Sequence, residues 1–125
     1  MAALVVTVGE PAAKWEVGIV NQTRFSALST EPVVVTVWAY QSGAPLDPTS
    51  GTVELAFLDS PLAQPGTGDW QAATWDTNEI GQYRAECVIG PSGAITLESG
   101  TWWVWAQITL SPSVVVKQAG SIVVE

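Results

Sequence analysis

The chain contains no histidine and one cysteine, Cys87. Without imidazole there is no Ser-His-Asp or Cys-His relay, no zinc-protease motif and no ordinary general base near neutral pH. A lone thiol makes no internal disulfide, and in the absence of histidine it leaves no transition-metal site of ordinary composition. The expectation is therefore a protein without cofactor, metal or enzyme activity. Basic residues are equally scarce: Lys14, Arg24, Arg84 and Lys117 stand against twelve acids, for a net charge of −8. Phosphate neutralisation needs clustered Lys and Arg, and these four are scattered. Nucleic acid and anionic membrane surfaces are set aside as partners. No apolar run approaches the roughly 18 residues of a membrane span. Met1 to Val8 also lacks the charged start and length of a secretion signal, so a cytoplasmic origin is expected.

What the chain has in plenty is apolar and aromatic surface. Hydrophobic residues make up 47% and charged residues 13%, about half the usual charged share. With 125 residues, 1–125 reads as a single domain, large enough to bury about two-thirds of its unfolded surface. The apolar runs are short and β-branched, and Gly, Pro, Ser and Asp punctuate them at fairly even intervals, as in an all-β sandwich or barrel. Strands are expected near Leu4–Val8, Trp15–Val20, Val33–Tyr40, Thr52–Leu58, Ala72–Trp75, Gly81–Ile89, Thr101–Leu110 and Val114–Val124, the last broken around Ala119-Gly120-Ser121. Turn chemistry concentrates at 41–50, 59–69 and Gly90-Pro-Ser-Gly93, where residues with fixed or permissive φ stop the ladder. The 59–69 stretch is the longest of these connections.

Alternation within the strands assigns faces, because successive side chains on a strand point to opposite sides. Val33, Val35, Val37 and Ala39 oppose Val34, Thr36, Trp38 and Tyr40, while Val53, Leu55 and Phe57 oppose Thr52, Glu54 and Ala56. In each case the first set is expected in the core. Tyr83, Ala85, Cys87 and Ile89 form another core row, with Gln82, Arg84, Glu86 and Val88 outside. Cys87 then reads as a small buried hydrophobe. From Thr101 on, Trp102, Val104, Ala106, Ile108 and Leu110 face the core, leaving Trp103, Trp105, Gln107 and Thr109 outside.

Gly81-Gln-Tyr83-Arg-Ala85 resembles the Gly-x-Tyr-x-Cys entry to the penultimate strand of immunoglobulin-like domains, with Ala85 where the bridging cysteine would stand. The resemblance is to the tyrosine corner and not to the disulfide. It implies an immunoglobulin-like β-sandwich of about seven or eight antiparallel strands.

Carboxylates are the remaining vehicle for chemistry. Asp47, Asp59, Asp69, Asp76 and Glu79 fall in expected loops, where a glycosidase pair or a calcium site would draw its ligands. None lies in a calcium-loop spacing, and they read as solvated turn formers. Gly90-Pro-Ser-Gly93 is one residue short of a nucleophile elbow, no glycine-rich phosphate loop is present, and Asn21-Gln22-Thr23 reads as a chance sequon because no secretion signal is expected.

Surface recognition is what remains. There are seven tryptophans, and the outward sets of two strands, Trp38 with Tyr40 and Trp103 with Trp105, are aromatic. Such rings dominate binding hot spots because they bury large area with few rotors to freeze. If these strands were neighbours, the rings would form one ladder with Arg84 stacked between them. Trp38, Tyr40, Arg84, Trp103 and Trp105 are thus the expected partner-binding residues. The competing use of the same rings is a second small core, covered by the N-terminal segment or the 59–69 loop.

Several segments resemble a group of small virion-associated proteins of actinobacterial tailed phages and prophages. The matching residues are Ser26-Ala-Leu-Ser-Thr-Glu31 before the valine-rich strand; Asp47-Pro48-Thr49 leading through Val53 to Ala56-Phe57; Trp70 with Ala73 and Trp75; and Leu97, Gly100, Trp105, Pro112, Ala119 and Gly120. The likeness covers most of the chain and brings no catalytic residues. It implies a non-enzymatic structural protein located in the virion and assembled in the host cytoplasm, most simply one that decorates or cements the capsid. Its partners would be the major capsid protein or other virion proteins, with copies in a homo-oligomer or symmetric array. Terminal strands such as Leu4–Val8 and Ser121–Glu125 would suit pairing with a neighbour's sheet edge. A head-to-tail connector or tail component is the close variant. A carbohydrate-binding module stacking sugars on Trp38, Tyr40, Trp103 and Trp105, flanked by Gln107, Arg84 and Glu86, is the alternative of another class.

Overall fold

A computed structural model describes residues 13–20, 22–79 and 82–125. The expected strand Leu4–Val8, the sequon residue Asn21 and Gly81 of the tyrosine-corner motif lie outside the described residues. The rest forms two packed sheets. The first holds β1 (Lys14–Ile19), β3 (Glu31–Gln41), β8 (Gln82–Ile89) and β7 (Thr74–Glu79) in the order β1-β3-β8-β7, with the short β4 (Ala44–Pro45) on β3. The second runs β2 (Arg24–Phe25), β10 (Ser113–Val124), β9 (Gly100–Leu110), β5 (Thr52–Leu58) and β6 (Trp70–Ala72). Apart from the parallel β2–β10 pair, neighbouring strands are antiparallel. Counting the seven longer strands and leaving out the short β2, β4 and β6, this is the immunoglobulin-like arrangement, with the first, second, fifth and fourth on one sheet and the seventh, sixth and third on the other.

The core is the set that alternation selects. Val33, Val35, Val37, Val53, Leu55, Phe57, Ala85, Cys87, Val104, Ala106 and Ile108 pack between the sheets. Cys87 is buried, and removal from water pushes its thiol up to about 11, the behaviour of an inert core residue. The outer row of β3 is less wet than alternation suggests, since Val34 and Thr36 are also buried. Both sit in an interior strand, between β1 and β8, with Glu86 and Arg84 of β8 directly beside them.

The strand assignments change in two places. The run expected at Ala72–Trp75 is two strands in different sheets, because the chain crosses at Ala73, whose N–H donates to the Val53 carbonyl at 3.1 Å. The strand expected at Trp15–Val20 is present as β1, and the unexpected β2 follows it on the other sheet. Elsewhere the expected bounds hold to within a few residues, and the break near Ala119 is a β-bulge, where the register of β10 against β9 shifts between Gln118 and Gly120.

The tyrosine corner also moves. Tyr83 is buried in β8, opposite Val37, and β8 is not the penultimate strand. That strand is β9, which opens Gly100-Thr-Trp102-Trp-Val104 with the same spacing. Trp102 takes the tyrosine's part: its indole N–H donates to the Glu98 carbonyl at 2.8 Å, fastening the strand to the turn before it. Trp102 packs against the core while remaining half-buried.

A candidate interaction face

The aromatic residues expected to meet in one ladder are divided between the two sides of the sandwich. Trp38, Tyr40 and Arg84 lie on β3 and β8 of the first sheet, while Trp103 and Trp105 lie on β9 of the second. Outward positions of packed sheets point away from each other, so no single surface contains both sets. Alternation within a strand gives inside and outside correctly, but it carries no information about which sheet a strand joins.

The two outer faces differ in charge. On the first sheet, Lys14, Glu16, Asp76, Arg84 and Glu86 occupy outward positions, and Thr36, Arg84 and Asp76 stand in one row. Trp38 is half-buried there, its ring lying 3.7 Å from where a Cβ on Gly18 would stand. Tyr40 is the one exposed member of the five expected partner residues. This face reads as a solvated surface.

The second face is nearly free of ionisable groups. Along β5, β6, β9 and β10 the outward residues form rows: Val114 with Thr109 and Thr52; Val116 with Gln107, Glu54 and Ala72; Gln118 with Trp105, Ala56 and Trp70; Ser121 with Trp103 and Leu58. Glu54 is the only charged side chain among them, and Gln107 Nε2 donates to its Oε1 at 2.9 Å. At the corner, Arg24 of β2 is paired with Glu125 at 2.8 Å. Val114 and Val116 are 60% and 42% exposed. In a chain of net charge −8, this is an apolar and aromatic area with one hydrogen-bonded acid.

Trp70 is the member that sequence reasoning did not place on this face. It pairs with Ala56 on the side opposite Trp105, and Ala56 has no exposed surface despite pointing outward. Two indoles about two strand spacings apart, roughly 10 Å, close over the small residue between them. The Trp105 indole nitrogen is itself buried and has no hydrogen-bond partner among the described residues. Leu62, at the middle of the 59–69 loop, is 92% exposed. Trp103 and Trp105 are consequently half-buried, as are all seven tryptophans. The signal for Trp70 was its position just after a turn-rich loop, at the start of a strand hairpinned back on β5.

An unpaired buried N–H costs about 1–3 kcal/mol, so its removal offsets part of the area lost on shortening the ring. Trp105→Phe is therefore expected to unfold in urea within about 1 kcal/mol of the natural chain, whereas Trp105→Ala, which uncovers Ala56, loses about 2 kcal/mol or more. Equal losses in the two variants would show that the indole nitrogen contributes a bond.

The loop acids are local structural devices. Asp47 Oδ1 accepts from the Thr49 N–H at 2.8 Å and from the Thr49 hydroxyl at 2.6 Å, and these bonds hold its carboxyl below the usual range. Pro48 between them is fully buried, which gives the Asp47-Pro48-Thr49 motif a reason as a turn leading into β5. Asp69 accepts from the Gly66 N–H at 2.7 Å and closes the short 3₁₀ turn before β6. Asp76 lies in β7 opposite Arg84. Among the described residues no three His, Cys, Asp or Glu side chains converge as they would around a metal ion.

No protein-family model matches the chain, and no curated protein matches it.

Proposed function

We propose that the chain is a non-enzymatic structural component of a tailed-phage virion, decorating or cementing the capsid, and that it meets its partner through the outer face of the β10-β9-β5-β6 sheet. The observation that carries this reading is the contrast between the two faces. A solvated β-sandwich is expected to distribute its charge over both, whereas here five outward charges sit on one face and Glu54 alone stands with Val114, Val116, Trp103, Trp105 and Trp70 on the other. Depletion of charge with enrichment of tryptophan is the compositional mark of an interface centre. The resemblance of the chain to virion-associated proteins supplies the class of partner, a shell subunit. Four β-strands and four residue rows amount to about 500 Å² at ordinary strand spacings, or about 1,000 Å² over both partners, the lower end of what a specific interface buries.

Val116→Glu tests this face without touching the core, since Val116 is already 42% exposed. Its unfolding free energy should change by no more than about 1 kcal/mol, while an unpaired charge buried in the interface costs several kcal/mol. Co-sedimentation with assembled shells is expected to fall by at least about tenfold. Undiminished binding would remove this face from the proposal. Copy number distinguishes the positions in the particle: hundreds per particle indicate decoration, and about six or twelve indicate the head-to-tail axis.

A further inference from the structure

The one acid of the outer β10-β9-β5-β6 face stands at a groove. Val53, Glu54, Ala72, Ala73 and Trp75 line a space of about 500 Å³ where the chain leaves β6 for β7, a volume within the roughly 300–1,000 Å³ of ligand-sized pockets. Its walls are apolar and held in place. Val53 is buried, Ala73 and Trp75 pack against the core, and the Trp75 indole N–H donates to the Gly51 carbonyl at 3.0 Å. Ala72 and Ala73 carry no atoms past Cβ, which keeps the space open. Glu54 and Ala72 are cross-strand partners and belong at once to this groove and to the outward rows of the face.

We propose that the bound partner inserts a basic side chain, lysine or arginine, into this groove, its aliphatic stem along Ala72, Ala73 and the Trp75 ring and its cationic head on the Glu54 carboxylate. The inference rests on the reading of this face as the partner interface and adds the chemistry of the residue received. Covering the face takes Glu54, already half-buried, further out of water. One neutral hydrogen bond, from Gln107, does not offset the cost of burying a carboxylate without a counterion. The chain's own four bases lie elsewhere. Lys14 and Arg84 are on the other sheet, Arg24 is paired with Glu125 at the corner, and Lys117 stands in the row of Ala106, on the opposite side of the sheet from Glu54. The cation must then come from the partner. Long basic side chains suit the groove because they bury an apolar stem while the charged head reaches a polar group, and a net charge of −8 draws basic surfaces toward the chain.

Co-sedimentation of Glu54→Gln with assembled shells tests it, because the variant keeps the shape of the side chain and an oxygen to accept from Gln107 while removing the charge. With a partner cation on Glu54, the variant should bind at least about tenfold more weakly than the natural chain, since it leaves that cation buried and unpaired. Glu54→Asp, which retains the charge, should bind better than Glu54→Gln; equal loss in the two would overturn the proposal by making the defect one of shape. Binding of Glu54→Gln that equals or exceeds that of the natural chain, with Val116→Glu still defective, would overturn it too and leave the face as the interface: an acid buried without a counterion binds better once neutralised. Undiminished binding of Val116→Glu would instead remove the face, and the groove with it.

Discussion

Gly90→Ala is expected to destabilise the domain by about 3–5 kcal/mol, among the largest effects available to a single methyl group. Gly90 follows β8 with φ of +107°, a conformation that L side chains rarely adopt. A Cβ there would stand 1.9 Å from the Ser29 carbonyl oxygen and 2.9 Å from its carbon, backbone atoms that cannot swing aside. The turn is tied on every side. The Gly90 N–H donates to the Ile95 carbonyl at 2.9 Å, its own carbonyl accepts from Gly93 N–H and from the Thr96 hydroxyl, and the Thr30 hydroxyl donates to Pro91. Relief of the clash must therefore break hydrogen bonds or part the segments. Gly43→Ala isolates the conformational share, since φ there is +80° and nothing lies within 4 Å of the added atom. It should cost only about 1–2 kcal/mol. The comparison is made by urea unfolding, and similar losses in the two variants would mean that the crowding at Gly90 is not felt.

Leu55→Ala is expected to cost about 3–4 kcal/mol, the ordinary toll for emptying a fully enclosed aliphatic site. Leu55 has no exposed surface and lies in the middle of β5 between β9 and β6. In a domain of this size that loss lowers the melting temperature by roughly 4 °C per kcal/mol. Cys87 provides an independent readout from the same core. It is 2% exposed and its thiol is pushed up to about 11, so in the folded chain it is both shielded and protonated. Labelling by a thiol reagent then follows the open population, and a 3 kcal/mol loss should raise its rate by about 100-fold. An unchanged rate in Leu55→Ala would mean that Cys87 reacts through a local opening that leaves the β5 side of the core intact.

Much of the sandwich was legible because its strands are interior and its alternation is strict. Val33, Val35 and Val37, or Val104, Ala106 and Ile108, can lie only on one side of a pleated strand, and burial follows. Period two says nothing about long-range pairing, however. The rings of Trp38 and Trp103 look equivalent along the chain and end on opposite faces because β3 joins β1 and β8 whereas β9 joins β5 and β10. Crossings made by one residue, as at Ala73, are invisible for the same reason. The short strands β2 and β4 have too few residues for any period. The corner motif shows a different kind of miss. Gly81-Gln-Tyr83 has the right local spelling, but with two further strands expected after it, only the Gly100-Thr-Trp102 segment stands at the entry to the penultimate one. Trp70 needed the register of β6 before its place over Ala56 was apparent.

The parallel contact between β2 and the end of β10 has a mechanical meaning. Thr23 and Phe25 carbonyls accept from Val123 and Glu125, and the Ala27 N–H donates to the Glu125 carbonyl, each at 2.8 Å. Ala13 enters at one end of the sandwich, beside Ser113, and β10 runs from there to Glu125 at the other. Tension applied between these points pulls along the strands, and the bonds of β2 with β10 and of β1 with β3 are loaded together in shear rather than opened one after another. A pull across the strands at the short β6 edge meets no such resistance. The domain is stiff along one axis and peelable along another, so the direction in which a neighbour holds it decides how much force it bears.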